Sequence, residues 1–205
     1  MKKKIPFNVN AYTARLIGRE NVSSLDGAIL ELVKNTYDAD ATKCILYYDK
    51  KEEILYLMDN GCGMNEQVIE EHWMNIGNSS KYKDYMTKKG RVQTGAKGIG
   101  RFALDRVGNK CTMYTKNSED YETIEWNVDW SDFERKKNLT EVTATIDKVN
   151  QKNLFSSLKI ENKDILDILE EYYNNTGTIF KITNLSDLWT DDLIEGIREK
   201  LSSLI

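Results

Sequence analysis

The sequence is short of several things at once. Its 205 residues include one proline, Pro6, one histidine, His72, and three cysteines, Cys44, Cys62 and Cys111. A single proline excludes a proline-rich linker or a collagen-like segment. Three widely spaced cysteines suit neither a disulfide framework nor a zinc site, and a reducing cytoplasm is the expected compartment. A Ser-His-Asp triad or a histidine-rich metal site would have to use His72, and no motif around it supports either. No run approaches roughly 18 apolar residues, so no membrane span is expected. Lys2, Lys3 and Lys4 are not followed by an apolar segment, so neither is a signal peptide. Positive charge is not in excess either: 29 Lys plus Arg against 33 Asp plus Glu gives −4. That balance argues against a whole-chain electrostatic grip on nucleic acid.

What is present suits a folded globular chain, with 40% hydrophobic and 10% aromatic residues. The length fits one large domain or two small ones. There is no internal repeat. Ser23 or Ser24 can cap a helix in which Leu25, Ile29, Leu32 and Val33 form an apolar stripe, ending near residues 38–40. Two β-rich runs, 44–48 and 54–58, read as a hairpin. Val68, Ile69, His72, Trp73 and Ile76 suggest a short helix, and 77–95 reads as a long loop of the kind that serves as a lid. A helix is expected over 99–107, strands at 111–115, 123–130, 142–146 and 178–183, and helices at 164–173 and from residue 191. The four tryptophans, Trp73, Trp126, Trp130 and Trp189, are read as packing residues, because a base-stacking platform comes with interleaved basic residues.

Three segments carry chemistry. Glu31, Asn35 and Asp38 stand at i, i+4 and i+7, on one face of the first predicted helix and away from its apolar stripe. A solvated polar face has the same spacing, as does a paired general base and metal ligand. Asp59-Asn60-Gly61-Cys62-Gly63-Met64 closes a predicted strand; the glycines permit a tight turn or a close approach of backbone to ligand, and Asp59 can accept from an exocyclic amine. An ordinary turn uses the same residue types. Gly95-Ala96-Lys97-Gly98-Ile99-Gly100-Arg101-Phe102 opens a helix and can present backbone N–H groups to an anion. Its G-x-x-G-x-G spacing is neither Walker A nor the dinucleotide fingerprint.

Taken in order, E-x-x-x-N-x-x-D-A at 31–39, D-x-G-x-G at 59–63, G-x-x-G-x-G at 95–100 and the Gly177-Thr178 pair resemble the GHKL ATPase superfamily of gyrase B, ninety-kilodalton heat-shock chaperones, histidine kinases and MutL, with its Bergerat fold. The MutL, chaperone and MORC-like branch is the nearest in pattern. The resemblance runs from about Asn21 to Leu204. It implies an α+β two-layer sandwich, a mostly antiparallel mixed sheet with helices on one face, in a single domain over residues 1–205. It also implies that the chain is the N-terminal part of a longer protein.

By the same resemblance, Glu31 is the general base and Asn35 the Mg²⁺ ligand, with Asp38 supporting that motif. Asp59 reads the adenine N6 amine, Gly61 and Gly63 shape the pocket, and Thr178 helps to hold the base. Gly95, Gly98 and Gly100 are the phosphate-binding part of the ATP lid, and residues 77–95 are its mobile segment. Ser79, Ser80 and Lys81 correspond to the Ser-Lys stretch of MutL-like lids. Lys97 and Arg101 are candidate phosphate cations, and Met64, Ile99 and Phe102 are counted with the cofactor-binding residues because they lie inside the two glycine runs.

The implied activity is ATP binding with slow Mg²⁺-dependent hydrolysis, driving a conformational and dimerisation switch in a cytoplasmic protein. ATP and ADP are the ligands, a homodimer is the expected assembly, nucleic acid would be met through a downstream domain, and no membrane is involved. A nucleotide-binding sensor without turnover is one alternative. A histidine-kinase-type phosphotransferase is another, but residues 1–24 hold no acceptor histidine.

Overall fold

The computed structural model describes residues 4–5, 8–77, 86–93, 100–119, 122–149, 154–158, 160–172 and 176–203. Its centre is a six-stranded sheet. The strands are β1 (Cys44–Asp49), β2 (Ile54–Asp59), β3 (Gly108–Lys116), β4 (Thr123–Asp129), β5 (Thr145–Val149) and β6 (Gly177–Leu185), in the spatial order β1-β2-β6-β3-β4-β5. The expected mixture of pairings resolves to antiparallel at every described ladder. The reason is β6, which inserts between β2 and β3. Those two strands run the same way, and β6 runs opposite to both.

Side-chain alternation along the strands sorts the sheet into two faces. Leu55, Leu57, Cys111, Met113, Trp126, Phe180 and Ile182 point into the main core. Against them lie helices α1 (Ala11–Glu20), α2 (Leu25–Asp38), α4 (Phe102–Val107) and α7 (Asp191–Ser202), of which the sequence pattern predicts the last three. The opposite face carries a smaller apolar cover of its own. Tyr56, Met58 and Ile179 point there, and Leu154, Ile160 and Leu169 cover them, the last from α6 (Lys163–Tyr172). Uncovered, those side chains would leave an apolar patch in water.

The helix carrying the first motif is α2. Ser24 is its N-cap, accepting from the Gly27 N–H at 3.2 Å, and Asp26 in the first turn pairs with Lys200 of α7. The helix stops where Asp40 adopts a left-handed φ of 61°. A short helix α3 (Glu66–Val68) runs into a π turn, Ile69–Trp73, and α5 (Asp132–Arg135) follows β4. Strand β5 falls three residues later than expected: Val142 and Ala144 pack on the core as loop residues, and the strand itself is an exposed edge. Trp126, Trp130 and Trp189 are buried packing residues. All three cysteines are free. Among the described residues no helix is long and apolar enough to cross a membrane.

Candidate functional site

Two groups of predicted residues come together, one at an end of the sheet and one between helices. At the sheet end, register places Asp59 of β2, Thr178 of β6 and Thr115 of β3 in one row across three strands. Asp59 is 3% exposed. Its carboxylate accepts backbone N–H groups from Gly61, at 2.8 Å, and from Thr178. Burial nevertheless dominates and pushes its pKa up to about 7. A carboxylate has about four acceptor positions, so capacity remains for an amine donor.

The Asp59–Met64 loop is pinned from three directions. The Cys62 N–H donates to the Ala39 carbonyl at 2.8 Å, and a Cβ on Gly61 would stand 2.6 Å from that same oxygen. Asn60 accepts from the Thr42 and Lys43 N–H groups, both at 2.9 Å, tying the loop to the start of β1. Gly63 has φ +62°, and a Cβ there would lie 2.0 Å from the Lys116 carbonyl oxygen. Only glycine fits such a position. The Met64 N–H donates to Thr115 Oγ1 at 2.9 Å, and that hydroxyl lies 3.1 Å from Thr178 Oγ1 and donates to the Gly177 carbonyl. Thr115 belongs to none of the sequence motifs; its place depends on register, which no local pattern supplies.

At the helical end, Glu31 Oε1 and Asn35 Nδ2 each come within 3.3 Å of the point where a Cβ of Gly100 would stand. The first motif and the end of the third therefore meet, with Gly100 fitted against both side chains. Asn35 Oδ1 lies 3.6 Å from the same point, and an amide oxygen is a hard donor of the kind that Mg²⁺ takes. Asp38 is the last residue of α2 and is half-buried. Ser79, Ser80, Lys81, Gly95, Lys97, Gly98 and Ile99 lie outside the described residues.

Two candidates make contacts within the fold. Phe102 is 1% exposed, and its ring packs against Trp130 and Phe133 at centroid separations of 5.6 and 5.9 Å. It is a core residue, because the short helix α4 turns that face inward. Arg101 donates from Nη2 to the carbonyls of His72, at 3.0 Å, and Asn75, at 3.1 Å, and lies over the Trp73 ring. Its guanidinium serves the carbonyls at the end of the π turn, which need donors. Burial pushes its pKa down to about 10.

One contact lies outside the sequence motifs. Asp40, buried beyond the end of α2, accepts from Thr87 Oγ1 at 2.5 Å and from the Lys89 N–H at 3.1 Å. Arg91 donates to the Ala41 carbonyl at 2.7 Å and lies over the Tyr37 ring. The described part of the expected lid, residues 86–93, is thereby fastened to the end of the helix that bears Glu31 and Asn35. A cavity of about 290 Å³ between α4 and β4, lined by Trp73, Arg101, Trp126 and Phe133 among others, is separate: neither Glu31, Asn35 nor Asp59 lines it.

Comparison with known proteins identifies the family. A family model described as histidine kinase-, DNA gyrase B- and HSP90-like ATPase matches residues 22–159. The chain is similar to a Herpetosiphon aurantiacus protein provisionally named type II restriction enzyme HgiDII, at 31% identity over 86 residues, 42% of this chain and 14% of that one. It is similar to the mouse ATPase MORC2B, at 33% over 97 residues, and to human ATPase MORC2, at 30% over 100 residues. These stretches are 45% and 46% of this chain but 9% of each MORC protein. The matched segment is therefore a small fraction of each relative.

Proposed function

The chain belongs to the histidine kinase-, DNA gyrase B- and HSP90-like ATPases, and from that membership we propose a Mg²⁺-dependent ATP hydrolase whose turnover drives a conformational switch. The observation that carries this reading is the convergence of Glu31 and Asn35 on Gly100. One helical turn separates a carboxylate able to take a proton from an amide oxygen able to hold a cation.

The adenine amine donates to Asp59, in the row shared with Thr178 and Thr115. Gly61 and Gly63 keep the loop free of side chains where backbones meet. The triphosphate extends toward Gly100. Glu31 orients a water and takes its proton as the water oxygen attacks the γ-phosphorus; the bond to the bridging oxygen breaks and ADP leaves with the electron pair. Asn35 would hold Mg²⁺, which when bound neutralises phosphate charge. With Arg101 engaged elsewhere, much of the phosphate charge would be met by backbone donors and the cation.

Residues 77–95 act as the lid, hinged on the Asp40–Thr87 contact, and residues 1–205 work as one ATP-binding module. The switch is an ATP-dependent pairing of two copies. The small matched fraction of the named relatives supports a module coupled to other parts of a longer assembly.

The test is phosphate release with Mg²⁺ and with chelator, alongside calorimetric ADP binding, for the wild-type protein and Glu31→Ala. The expected result is slow, Mg²⁺-dependent release that Glu31→Ala lowers by about 100-fold or more with ADP affinity retained. ADP binding without any release would point to a silent sensor. Equal release by Glu31→Ala would remove Glu31 as the base. Sedimentation with a non-hydrolysable ATP analogue reads the pairing.

A further inference from the structure

We propose that Asp105, gripped by Arg15 and Arg19 of α1, is a positioning residue that holds Gly100 at its distance from Glu31 and Asn35. The proposal rests on the hydrolase reading above and adds an element to it, since α1 carries none of the motifs.

The grip is dense. Arg15 Nε donates to both Asp105 oxygens, at 2.9 and 3.1 Å, and its Nη2 donates to Oδ1 at 2.7 Å. Arg19, one turn further along α1, donates from Nε to Oδ2 at 2.9 Å and from Nη2 to Oδ1 and to the Asp105 carbonyl, both at 3.2 Å. Arg15 also reaches Glu134 of α5 at 2.7 Å and Asn109 at 3.2 Å. Two guanidinium groups thus face two carboxylates. Arg15 is 3% and Asp105 0% exposed.

Burying charge in this way is a weak route to stability, because desolvation offsets the attraction and an apolar replacement of similar volume often does as well. What a planar guanidinium fork supplies is fixed geometry. Here it fixes α4, and α4 begins two residues after Gly100. A second contact acts on the same helix. Gly18 stands between Arg15 and Arg19 in sequence, and a Cβ there would lie 2.2 Å from Phe102 Cγ. α1 therefore presses on the first residue of α4 through Gly18 and holds it one turn later through Asp105. Any swing of α4 carries Gly100 with it, and even a Cβ at Gly100 would stand only 3.3 Å from side-chain atoms of Glu31 and Asn35, tighter than an ordinary contact. The base row lies farther from this clamp: Thr115 is six residues along β3 from Asn109, where Arg15 touches that strand, and Asp59 and Thr178 sit on β2 and β6.

The experiment compares Arg19→Ala, Gly18→Ala and Asp105→Asn with wild type, measuring ATP turnover, ADP affinity, affinity for a non-hydrolysable ATP analogue, and thermal midpoint. Arg19 is the mildest probe, because its side chain is 37% exposed and the Arg15–Asp105 fork survives its loss. Gly18→Ala perturbs α4 with every charge in place. Both are expected to lower kcat about tenfold, with ADP affinity changed by less than about twofold. Asp105→Asn is expected to lower kcat further.

Turnover unchanged in Arg19→Ala and Gly18→Ala overturns the proposal. So does a parallel loss of kcat, ADP affinity and thermal midpoint, which is the signature of a simple fastener. A wild-type protein that binds ADP and never releases phosphate would defeat the hydrolase reading and this proposal together; a competent wild type with insensitive variants defeats the positioning role alone.

Discussion

The two ends of the site are built from different materials. The base end is part of the sheet: Asp59, Thr178 and Thr115 occupy one row of three adjacent strands, and the loop beside them is pinned by main-chain N–H groups that donate to the Ala39 carbonyl, Asn60 and Thr115. The phosphate end is a meeting of helices, where side chains of α2 approach a glycine at the threshold of α4. Sheet ladders hold their shape through main-chain hydrogen bonds. Helices held by side chains can shift by fractions of an ångström. The difference suits a nucleotide whose base must only be recognised and whose phosphates must be acted on.

Substitutions at the two ends should therefore fail differently. The largest effect is expected for Gly63→Ala, where a left-handed backbone and a carbonyl at 2.0 Å leave no room. It should cost ~3 kcal/mol or more, lowering the thermal midpoint by roughly 6–12 °C. A midpoint within about 2 °C of wild type would show that the base end is softer than its hydrogen bonds suggest.

Asp59→Asn comes next. It removes the charged acceptor for the adenine amine and should weaken ADP binding by about 10–100-fold, read by calorimetry. The same residue predicts a pH dependence for the ligand-free protein. Its pKa is 3.8 unperturbed and about 7 in the fold, so the folded state favours the proton. The stabilisation is therefore complete below the unfolded value and is lost as pH rises through about 7. Denaturant midpoints should fall between pH 5 and pH 8, and in Asp59→Asn that component of the decline should vanish. A slope identical in both proteins would mean that Asp59 titrates normally.

Gly100→Ala should invert the pattern of Gly63→Ala. The nearest atoms are side-chain ends at 3.3 Å, which can give way, so stability should change by less than ~1 kcal/mol. Turnover should fall about tenfold, because those atoms belong to Glu31 and Asn35. A large loss of stability with normal turnover would erase the contrast between the ends. Thr115→Val should be the smallest change, ~1 kcal/mol in stability, from the loss of the Met64 and Thr178 contacts. Chemical denaturation reads it.

Some of this was legible in the residues and some was not, for reasons that can be named. Helix α2 and the β1–β2 hairpin carry their own signals: a serine cap with an apolar stripe, and two β-rich runs about a charged turn. Helix α1 was missed because its amphipathicity is inverted. It buries Ala11, Ala14, Arg15 and Gly18 and exposes Tyr12, Leu16 and Ile17, so hydrophobic periodicity points the wrong way. Strand β5 was misplaced for a related reason, since the apolar residues lie in the loop before it. Glu31, Asn35, Asp59 and Thr178 could be named from motif order. Thr115 and the Asp40–Thr87 contact depend on register and on a loop docking across 47 positions, which one local window does not hold.

The position of β6 has a consequence for how the protein is made. Without it, the sheet is two separate pieces, the β1–β2 hairpin and the β3–β4–β5 meander, with no ladder joining them among the described residues. On the ribosome those pieces emerge first and wait for the strand that belongs between them. The base row is incomplete until Thr178 has left the exit tunnel. Nucleotide capture should thus arise late and abruptly in synthesis, and a chain cut short before β6 would have neither a continuous sheet nor a place for the base.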